Sequence, residues 1–206
     1  MSTIKLTYFD MDGGRAETTR IALSIAGIEF EDHRITFEEF GGLKSTFPLS
    51  SVPIIEIDGH TYTQSNAMSR YFGKKAGLYP EDAWQGFLCD EAMYIIDDVS
   101  NAIGKTMGLT GDELKTAREK FVSGILTTAL KLLSNRLKAA GGEYFAANQL
   151  TIADLVISGF LKVIGSGMFD HVPTDIVEKS APLLVKHMER VSKDPRVACY
   201  YQKRSQ

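Results

Sequence analysis

The sequence is poor in cysteine, and the two it has are not arranged for redox chemistry. Cys89 and Cys199 are far apart, and there is no C-x-x-C motif. Two distant cysteines do not make the disulfide framework of a small secreted domain. Without C-x-x-C, thiol–disulfide exchange through a protein dithiol is not expected. Cysteine usage therefore predicts a protein of the reducing cytoplasm.

Long apolar runs and a strong charge of either sign are also missing. No stretch is apolar for long enough to span a bilayer, and the first residues, MSTIKLTYFDMD, lack the basic and then apolar layout of a signal peptide. The formal net charge is only −3, so neither nucleic acid nor an anionic membrane is expected as a partner. The 206 residues suit a globular protein of one or two small domains.

Several catalytic motifs are absent as well. The four histidines, at positions 33, 60, 171 and 187, have no ligand spacing of the H-E-x-x-H kind, so no metal site is predicted. There is no P-loop and no G-x-S-x-G elbow. Cys89 lies in a helical stretch without basic neighbours, which favours a buried apolar role over a nucleophilic one. The function has to be inferred from the motifs that are present.

The first part of the chain has the pattern of a small α/β domain. Apolar periodicity and turn signals predict, in order, a strand over 4–9, a helix over 17–26, strands over 30–35, 54–57 and 60–63, and a helix from 64 onward. The first two strands flank a helix, so a parallel pair is expected. Segment 37–48, rich in Gly, Ser and Phe, is predicted to be irregular. This order predicts a thioredoxin-like domain over residues 1–78.

The second part has no convincing strand. Apolar residues recur at helical spacing over 114–137, and Gly141-Gly142 follows where that helix is predicted to end. Thr151 and Asp154 have the spacing of a helix start before an apolar run. Further helices are predicted over 182–191 and 197–203. Residues 83–206 are therefore predicted to form an all-α domain.

One short stretch carries the clearest chemical signal. Val52 precedes Pro53, which favours extended backbone at Val52 and permits a cis peptide bond. After the hairpin, Gln64 and Ser65 stand at the start of a helix. The Ser65 hydroxyl would either cap that helix or join free backbone N–H groups in binding an anion. The residues alone leave both interpretations open.

The string VPIIEIDG followed by QS resembles the glutathione-binding half of glutathione transferases. In that family the residue before a cis-proline pairs its backbone with the cysteinyl unit of glutathione, and the Gln-Ser pair holds the γ-glutamyl end. The resemblance implies these roles for Val52, Pro53, Gln64 and Ser65.

A second motif narrows the resemblance. Tyr8-Phe9 and the following GRAE, residues 14–17, look like the YF-x-x-RGRAE signature of sigma-class glutathione transferases, a class that includes glutathione-dependent prostaglandin D synthases. The likeness extends along nearly the whole chain, through EFEDHRI, LKSTFP and TIAD. It implies that Tyr8 donates a hydrogen bond to the glutathione sulfur and that Arg15 lies near the thiolate. From the residues alone, packing in the core or on the surface is the more common role of a tyrosine in a strand. This chain departs from the signature by one extra residue before Arg15.

The resemblance implies further contacts with glutathione. Phe40 stands where the class has a Trp near the glycyl end, and Lys44 matches a Lys that meets the glycyl carboxylate, although a solvated loop lysine is equally expected. Ser51 replaces a longer polar side chain. Asp98 matches an acid that reaches across a homodimer to the glutathione amine, or it belongs to a solvated helix face. Tyr94 replaces a third acid that binds metal in some relatives, so no metal is expected.

The resemblance predicts a cytoplasmic homodimer of the glutathione transferase fold. Glutathione is the expected co-substrate, and small apolar electrophiles are the expected partners. The expected walls of the electrophile pocket are Met11, Asp12, Gly13, Gly104 and Met107. Two other functions stay open: a glutathione-dependent isomerase of the prostaglandin D synthase type, and a non-catalytic crystallin or carrier of apolar ligands.

Overall fold

A computed structural model of the chain describes residues 2–204 and shows a four-stranded sheet region followed by a helical region. The sheet region contains β1 (Ile4–Phe9), α1 (Glu17–Ile25), β2 (Glu31–Ile35), α2 (Phe37–Leu43), β3 (Ile54–Ile57), β4 (His60–Tyr62) and α3 (Ser65–Lys75). The helical region contains α4 (Ala83–Gly104), α5 (Gly111–Phe121), α6 (Thr127–Ala139), α7 (Ile152–Ile164), α8 (Ile176–Ser180), α9 (Pro182–Lys193) and α10 (Pro195–Arg204).

The sheet has the mixed order that the sequence predicts. Its strands lie in the order β2-β1-β3-β4, with β1 and β2 parallel and the other two pairings antiparallel. Tyr8 lies near the end of β1, opposite Arg34 of the parallel neighbour. Val52 and Pro53 directly precede β3, and the Val52–Pro53 peptide bond is cis. The sheet thus sets Tyr8 at the carboxyl end of a central strand.

The prediction that segment 37–48 is irregular is wrong for its first half, which forms the helix α2. Thr36 accepts a hydrogen bond from the Glu39 N–H (3.1 Å), and the Glu39 carboxylate accepts one from the Thr36 N–H (2.7 Å). This reciprocal capping box satisfies two donors that a helix start otherwise leaves free. The glycines of the segment obscured this Thr-x-x-Glu signal in the sequence.

The helical region contains no strand within residues 83–204, as predicted. The long helix expected over 114–137 is interrupted by a π-helical segment, Val122–Leu126, where Gly124 departs from helical geometry (φ −94°, ψ −107°). Helix α1 packs against both α7 and α10, which joins the two regions. Among residues 2–204, no helix is both long and apolar enough to cross a bilayer.

A fully buried carboxylate organises the start of α7. Asp154 accepts hydrogen bonds from the Thr151 N–H (2.7 Å), the Thr151 hydroxyl (2.8 Å) and the Phe145 N–H (3.0 Å). His187 of α9 places Nε2 2.8 Å from the same side chain. Buried polar groups need such partners, because an unpaired one costs about 1–3 kcal/mol. Asp154 therefore fixes α7 against both the preceding loop and α9.

We predict that Asp154→Ala lowers the free energy of unfolding by about 3–5 kcal/mol, since several buried donors lose their acceptor together. The matched control is Thr36→Ala, which removes an exposed capping box and is expected to cost only about 1 kcal/mol. Urea unfolding followed by circular dichroism measures both. Equal losses for the two variants would contradict the role given to Asp154.

Candidate active site

A largely apolar cleft of about 290 Å³ opens between the sheet region and the helices α4 and α7. The sheet region contributes the end of β1, Val52 and the start of α3 to its lining. The helical region contributes apolar side chains of α4 and α7 together with Phe169. The cleft therefore has one side built on the sheet and another built on helices.

Tyr8 lies in this cleft with its hydroxyl oxygen already hydrogen-bonded. The side chain is only 6% exposed, and the backbone N–H of Arg15 donates to its hydroxyl oxygen at 3.2 Å. Burial raises the pKa of Tyr8 above its ordinary value, although the bond from Arg15 acts in the opposite direction. The phenol therefore stays protonated at neutral pH. Its oxygen accepts from Arg15, so its proton is available to an acceptor in the cleft.

Gly14 makes room for this arrangement. A Cβ on Gly14 would lie 2.9 Å from the Tyr8 hydroxyl oxygen, and its φ of +71° lies in the left-handed region that favours glycine. Any other side chain would push against the phenol and strain the turn. The second glycine of DMDGG is therefore required by the position of Tyr8.

Arg15 joins the turn to α4. Its guanidinium pairs with the Asp97 carboxylate, and its Nη2 donates to Asn101 Oδ1 at 2.7 Å. Asn101 in turn donates to the other oxygen of Asp97 at 3.2 Å. Arg15 lines the cleft, but Asp97 offsets part of its charge. The extra residue in the turn has therefore not removed Arg15 from the site.

Val52 lines the cleft, and its backbone is without a partner in the described part of the chain. Within residues 2–204, neither its N–H nor its C=O takes part in a hydrogen bond. Backbone groups of this kind are normally paired with protein or water, so an unpaired donor and acceptor side by side suit an extended peptide ligand. The predicted role of Val52 requires this open edge.

The start of α3 also has free donors. Ser65 is buried at the cleft, yet no side chain caps this helix, and the Ser65 hydroxyl has no partner among residues 2–204. Gln64 precedes it with φ +74°, an uncommon value for a residue other than glycine, and its carbonyl accepts from Ala67 and Met68. Of the two interpretations of Ser65, the structure removes the capping one.

The remaining glutathione candidates lie outside the lining of this cleft. Phe40 is half-buried and packs edge-on against Phe9, with ring centroids 5.2 Å apart. Lys44 and Ser51 are exposed, and Pro53 is buried. Asp98 is exposed on α4. The structure thus brings Tyr8, Arg15, Val52 and Ser65 together, whereas these others and Gln64 lie beyond the cleft.

The electrophile candidates divide in the same way. Met11, Gly104 and Met107 line the cleft. Asp12 and Gly13 do not: a Cβ on Gly13 would lie 2.9 Å from the Gly159 carbonyl oxygen, and Asp12 pairs with Lys162 and Arg204. Gly13 packs on α7 and Asp12 pairs with side chains of α7 and α10, so the structure places both residues outside the lining of the cleft.

Sequence reasoning missed the contribution of α7 and the segment after it. Val156, Phe160 and Val163 line the cleft at helical spacing, followed by Met168 and Phe169. The helix is apolar on more than one face, which is the signal that would have found them. These side chains complete the apolar wall opposite the sheet.

Two family models match the chain. Residues 4–74 match the model described as "Glutathione S-transferase, N-terminal domain", and residues 97–204 match "Glutathione S-transferase, C-terminal domain". Together they cover both the sheet region and most of the helical region.

Individual proteins are similar over almost the full length. "Glutathione S-transferase 3" of Caenorhabditis elegans is 33% identical and covers 97% of this chain and 96% of its own. A solved prostaglandin synthase D of Nilaparvata lugens has a TM-score of 0.85 at 29% identity, with 98% of each chain covered. A sigma class GST of Fasciola hepatica has a TM-score of 0.81 at 26% identity, covering 100% of this chain and 98% of its own.

The contact between Gly14 and Tyr8 predicts a difference between two glycine variants. Gly27 also has a positive φ, +64°, but a Cβ there would meet nothing within 4 Å. Gly27→Ala should therefore lose only about 1–2 kcal/mol of unfolding free energy to backbone strain. Gly14→Ala should lose roughly 1–3 kcal/mol more, because its methyl group overpacks Tyr8. Urea unfolding of both variants is the measurement. Equal losses of unfolding free energy would show that the Tyr8 side chain moves aside at no cost, which would contradict the prediction.

Proposed function

Since this chain belongs to the glutathione S-transferase family, we propose that it binds glutathione along the sheet side of the cleft and conjugates its thiolate to small apolar electrophiles. One observation carries this proposal. The buried, protonated Tyr8 hydroxyl accepts from the Arg15 N–H at 3.2 Å and keeps its own proton for an acceptor in the cleft.

A neutral donor is what the thiol of glutathione requires. A free thiol has a pKa of about 8.5 and is only a few per cent ionised at pH 7. A hydrogen bond from Tyr8 stabilises the thiolate selectively and lowers the pKa of the thiol. A shift of about 2 pKa units corresponds to ~2.7 kcal/mol and makes the bound sulfur mostly thiolate.

The proposed reaction is a nucleophilic substitution. The thiol proton leaves to solvent, and the thiolate attacks the electrophilic carbon of an aryl halide to form a carbon–sulfur bond. The electron pair of the carbon–halogen bond departs with the halide ion. Tyr8 remains protonated throughout, because its role is to donate a hydrogen bond and not to transfer a proton.

The peptide itself is held by backbone and hydroxyl groups. In the proposal, the cysteinyl unit pairs with the free N–H and C=O of Val52, and the γ-glutamyl carboxylate is bound at the start of α3 by Ser65. An anion there is favoured by unsatisfied N–H groups and by the helix dipole. In the same proposal, Gln64 also contacts the γ-glutamyl end of glutathione, and Lys44 pairs with the glycyl carboxylate.

The chemistry of the lining supports an apolar electrophile. Met11, Met93, Met107 and Met168 lie in the cleft together with several phenylalanines. Methionine side chains are flexible and polarizable, so they adapt to apolar ligands of different shapes. A range of small aromatic or unsaturated electrophiles is therefore the proposed substrate class, consistent with a role in detoxification.

We propose that the active form is a homodimer. Large aromatic side chains remain about half exposed on β4, α3 and α4: Tyr62, Tyr71, Trp84, Phe87 and Tyr94. The salt bridge from Arg70 to Asp90 (2.7 Å) holds α3 beside α4. Exposed aromatic surface of this extent is typical of an interaction site. Asp98 follows Phe87 and Tyr94 on one face of α4, so it would face the second copy.

We assign the chain to a sigma-like class on its Tyr8 and GRAE motif, with support from the Fasciola hepatica likeness. A second candidate function is glutathione-assisted isomerisation, favoured by the likeness to a prostaglandin synthase D. The product distinguishes the two: conjugation retains glutathione, whereas isomerisation releases it. A carrier without turnover of either substrate class would contradict both.

We predict that Tyr8→Phe retains glutathione binding but raises the thiol pKa of the bound peptide. Losing a hydrogen bond to a charged sulfur costs roughly 1.5–3 kcal/mol, which corresponds to about 1–2 pKa units. Conjugation at pH 6.5 should fall about ten- to a hundredfold, with part of the rate recovered at high pH as the thiol ionises unaided. The thiolate absorbance of bound glutathione against pH is the measurement.

The matched control is Tyr144→Phe, because Tyr144 is a half-buried tyrosine outside the cleft. It should leave both the titration and the rate unchanged. Overlapping titrations of Tyr8→Phe and wild type would mean that Tyr8 is a packing residue and that another group, with Arg15 the first choice, activates the sulfur.

We predict that Phe87→Glu dissociates the dimer, since it places a charge within the exposed aromatic face. Leu132→Glu is the control, because Leu132 is an exposed apolar residue on α6 that is not one of these aromatic side chains. Light scattering should give the mass of one chain for the first variant and two for the second. In the dimer, Asp98→Asn should raise KM for glutathione and leave KM for the electrophile unchanged. A monomeric wild type would rule out the proposed assembly.

A further inference from the structure

Arg118 is a buried cation of α5 that the proposed chemistry does not use. Only 4% of its surface is exposed, and none of the carboxylates within residues 2–204 lies within ion-pair distance of it. Burying a charge that has no close ion pair is costly unless polar groups surround it, and the more distant Asp170 carboxylate offsets part of this cost. Burial lowers the pKa of Arg118 below its ordinary value, yet an arginine remains protonated in proteins.

The contacts of Arg118 reach two separate parts of the chain. Its Nε donates to the Thr106 hydroxyl, and its Nη2 lies 3.7 Å from the Met107 sulfur; both residues follow α4. Its Nη1 donates to the Asp170 carbonyl at 3.4 Å, and its guanidinium lies over the Phe169 ring at 5.0 Å; both follow α7. One planar group thus joins two segments that are far apart in sequence.

Those two segments form one end of the cleft. Met107 lines it after α4, and Met168 and Phe169 line it after α7. Arg118 itself does not line the cleft, so it acts on a ligand only through these neighbours. We propose that Arg118 is a positioning residue that holds Met107 and Phe169 together and so determines which electrophiles the cleft accepts, an inference that rests on the proposed function.

The guanidinium suits this role better than another side chain would. It has five N–H donors in a fixed plane and two faces for stacking, whereas lysine carries a compact charge without a planar face. An apolar side chain would fill the space but leave the Thr106 and Asp170 contacts unmade. The selectivity for electrophiles should therefore depend on the planar fork and not on positive charge alone.

The experiment compares Arg118→Met and Arg118→Lys with wild type on a compact dinitrophenyl chloride and a long-chain hydroxyalkenal. The quantity is the ratio of the two kcat/KM values, since the fraction of active protein cancels from it. Both variants should change this ratio by about tenfold, because small displacements at a reacting site cost that much or more. KM for glutathione should stay within about twofold of wild type, because Arg118 contacts none of the residues proposed to bind glutathione.

Two further variants separate positioning from general destabilisation. Arg136→Met is the control, since Arg136 is a more exposed arginine that pairs with Glu91 on α4 (2.6 Å), and it should leave the ratio unchanged. Thr106→Val keeps the cation and the side-chain shape but removes the hydroxyl, and it should shift the ratio in the same direction as Arg118→Met. If Arg118→Met does not fold, Thr106→Val decides the question.

The outcomes for Arg118 and for the proposed function can be told apart. If wild type turns over both substrates and the ratio of kcat/KM values is unchanged in every folded variant, the role given to Arg118 is overturned and the proposed function is not. Absence of wild-type turnover contradicts the proposed function. In that case, binding of the neutral dye Nile red to the cleft tests directly whether Arg118 positions Met107 and Phe169. Arg118→Met should weaken that binding relative to Arg136→Met, and equal affinities would overturn the proposal.

Discussion

The hydrogen bond from the Arg15 N–H to the Tyr8 hydroxyl oxygen is the interaction on which the site depends. It orients the phenol, and it leaves the phenolic proton available to another acceptor. The bond exists because the turn after β1 brings the backbone of Arg15 back over Tyr8, which Gly14 permits by having no side chain. Burial then keeps the phenol protonated. The strand β1, the turn after it and the burial of the phenol together make the Tyr8 hydroxyl a hydrogen-bond donor.

The same turn connects the two regions of the molecule. The side chain of Arg15 pairs with Asp97 on α4, while Gly13 packs on α7. A displacement of the helical region would therefore be transmitted to the turn and from there to Tyr8. Arg15, which the family resemblance places near the thiolate, is also the residue that ties the sheet region to the helices. The two roles are compatible, because the guanidinium that pairs with Asp97 still lines the cleft.

The strands, most helices and seven of the cleft residues could be predicted from the sequence, either from short local motifs or from the family resemblance that those motifs carry. The signals at Val52-Pro53, in the turn between β3 and β4 and at the start of α3 each extend over only a few residues. The helix over Phe37–Leu43 was missed, since the glycines outweighed its capping box. The α7 wall, and the packing of Asp12 and Gly13, depend on contacts about 150 residues apart in sequence, which no local pattern encodes.

Val52 shows how a protein can recognise a ligand without using a side chain. Its open N–H and C=O would be present with almost any amino acid at that position, so substitution by alanine leaves them unchanged. A scan of side chains would report Val52 as unimportant even if the peptide depended on it. Only a change to the main chain itself, such as replacing the amide by an ester, removes the N–H donor. Recognition of this kind is encoded in the path of the chain and not in the identity of the residue.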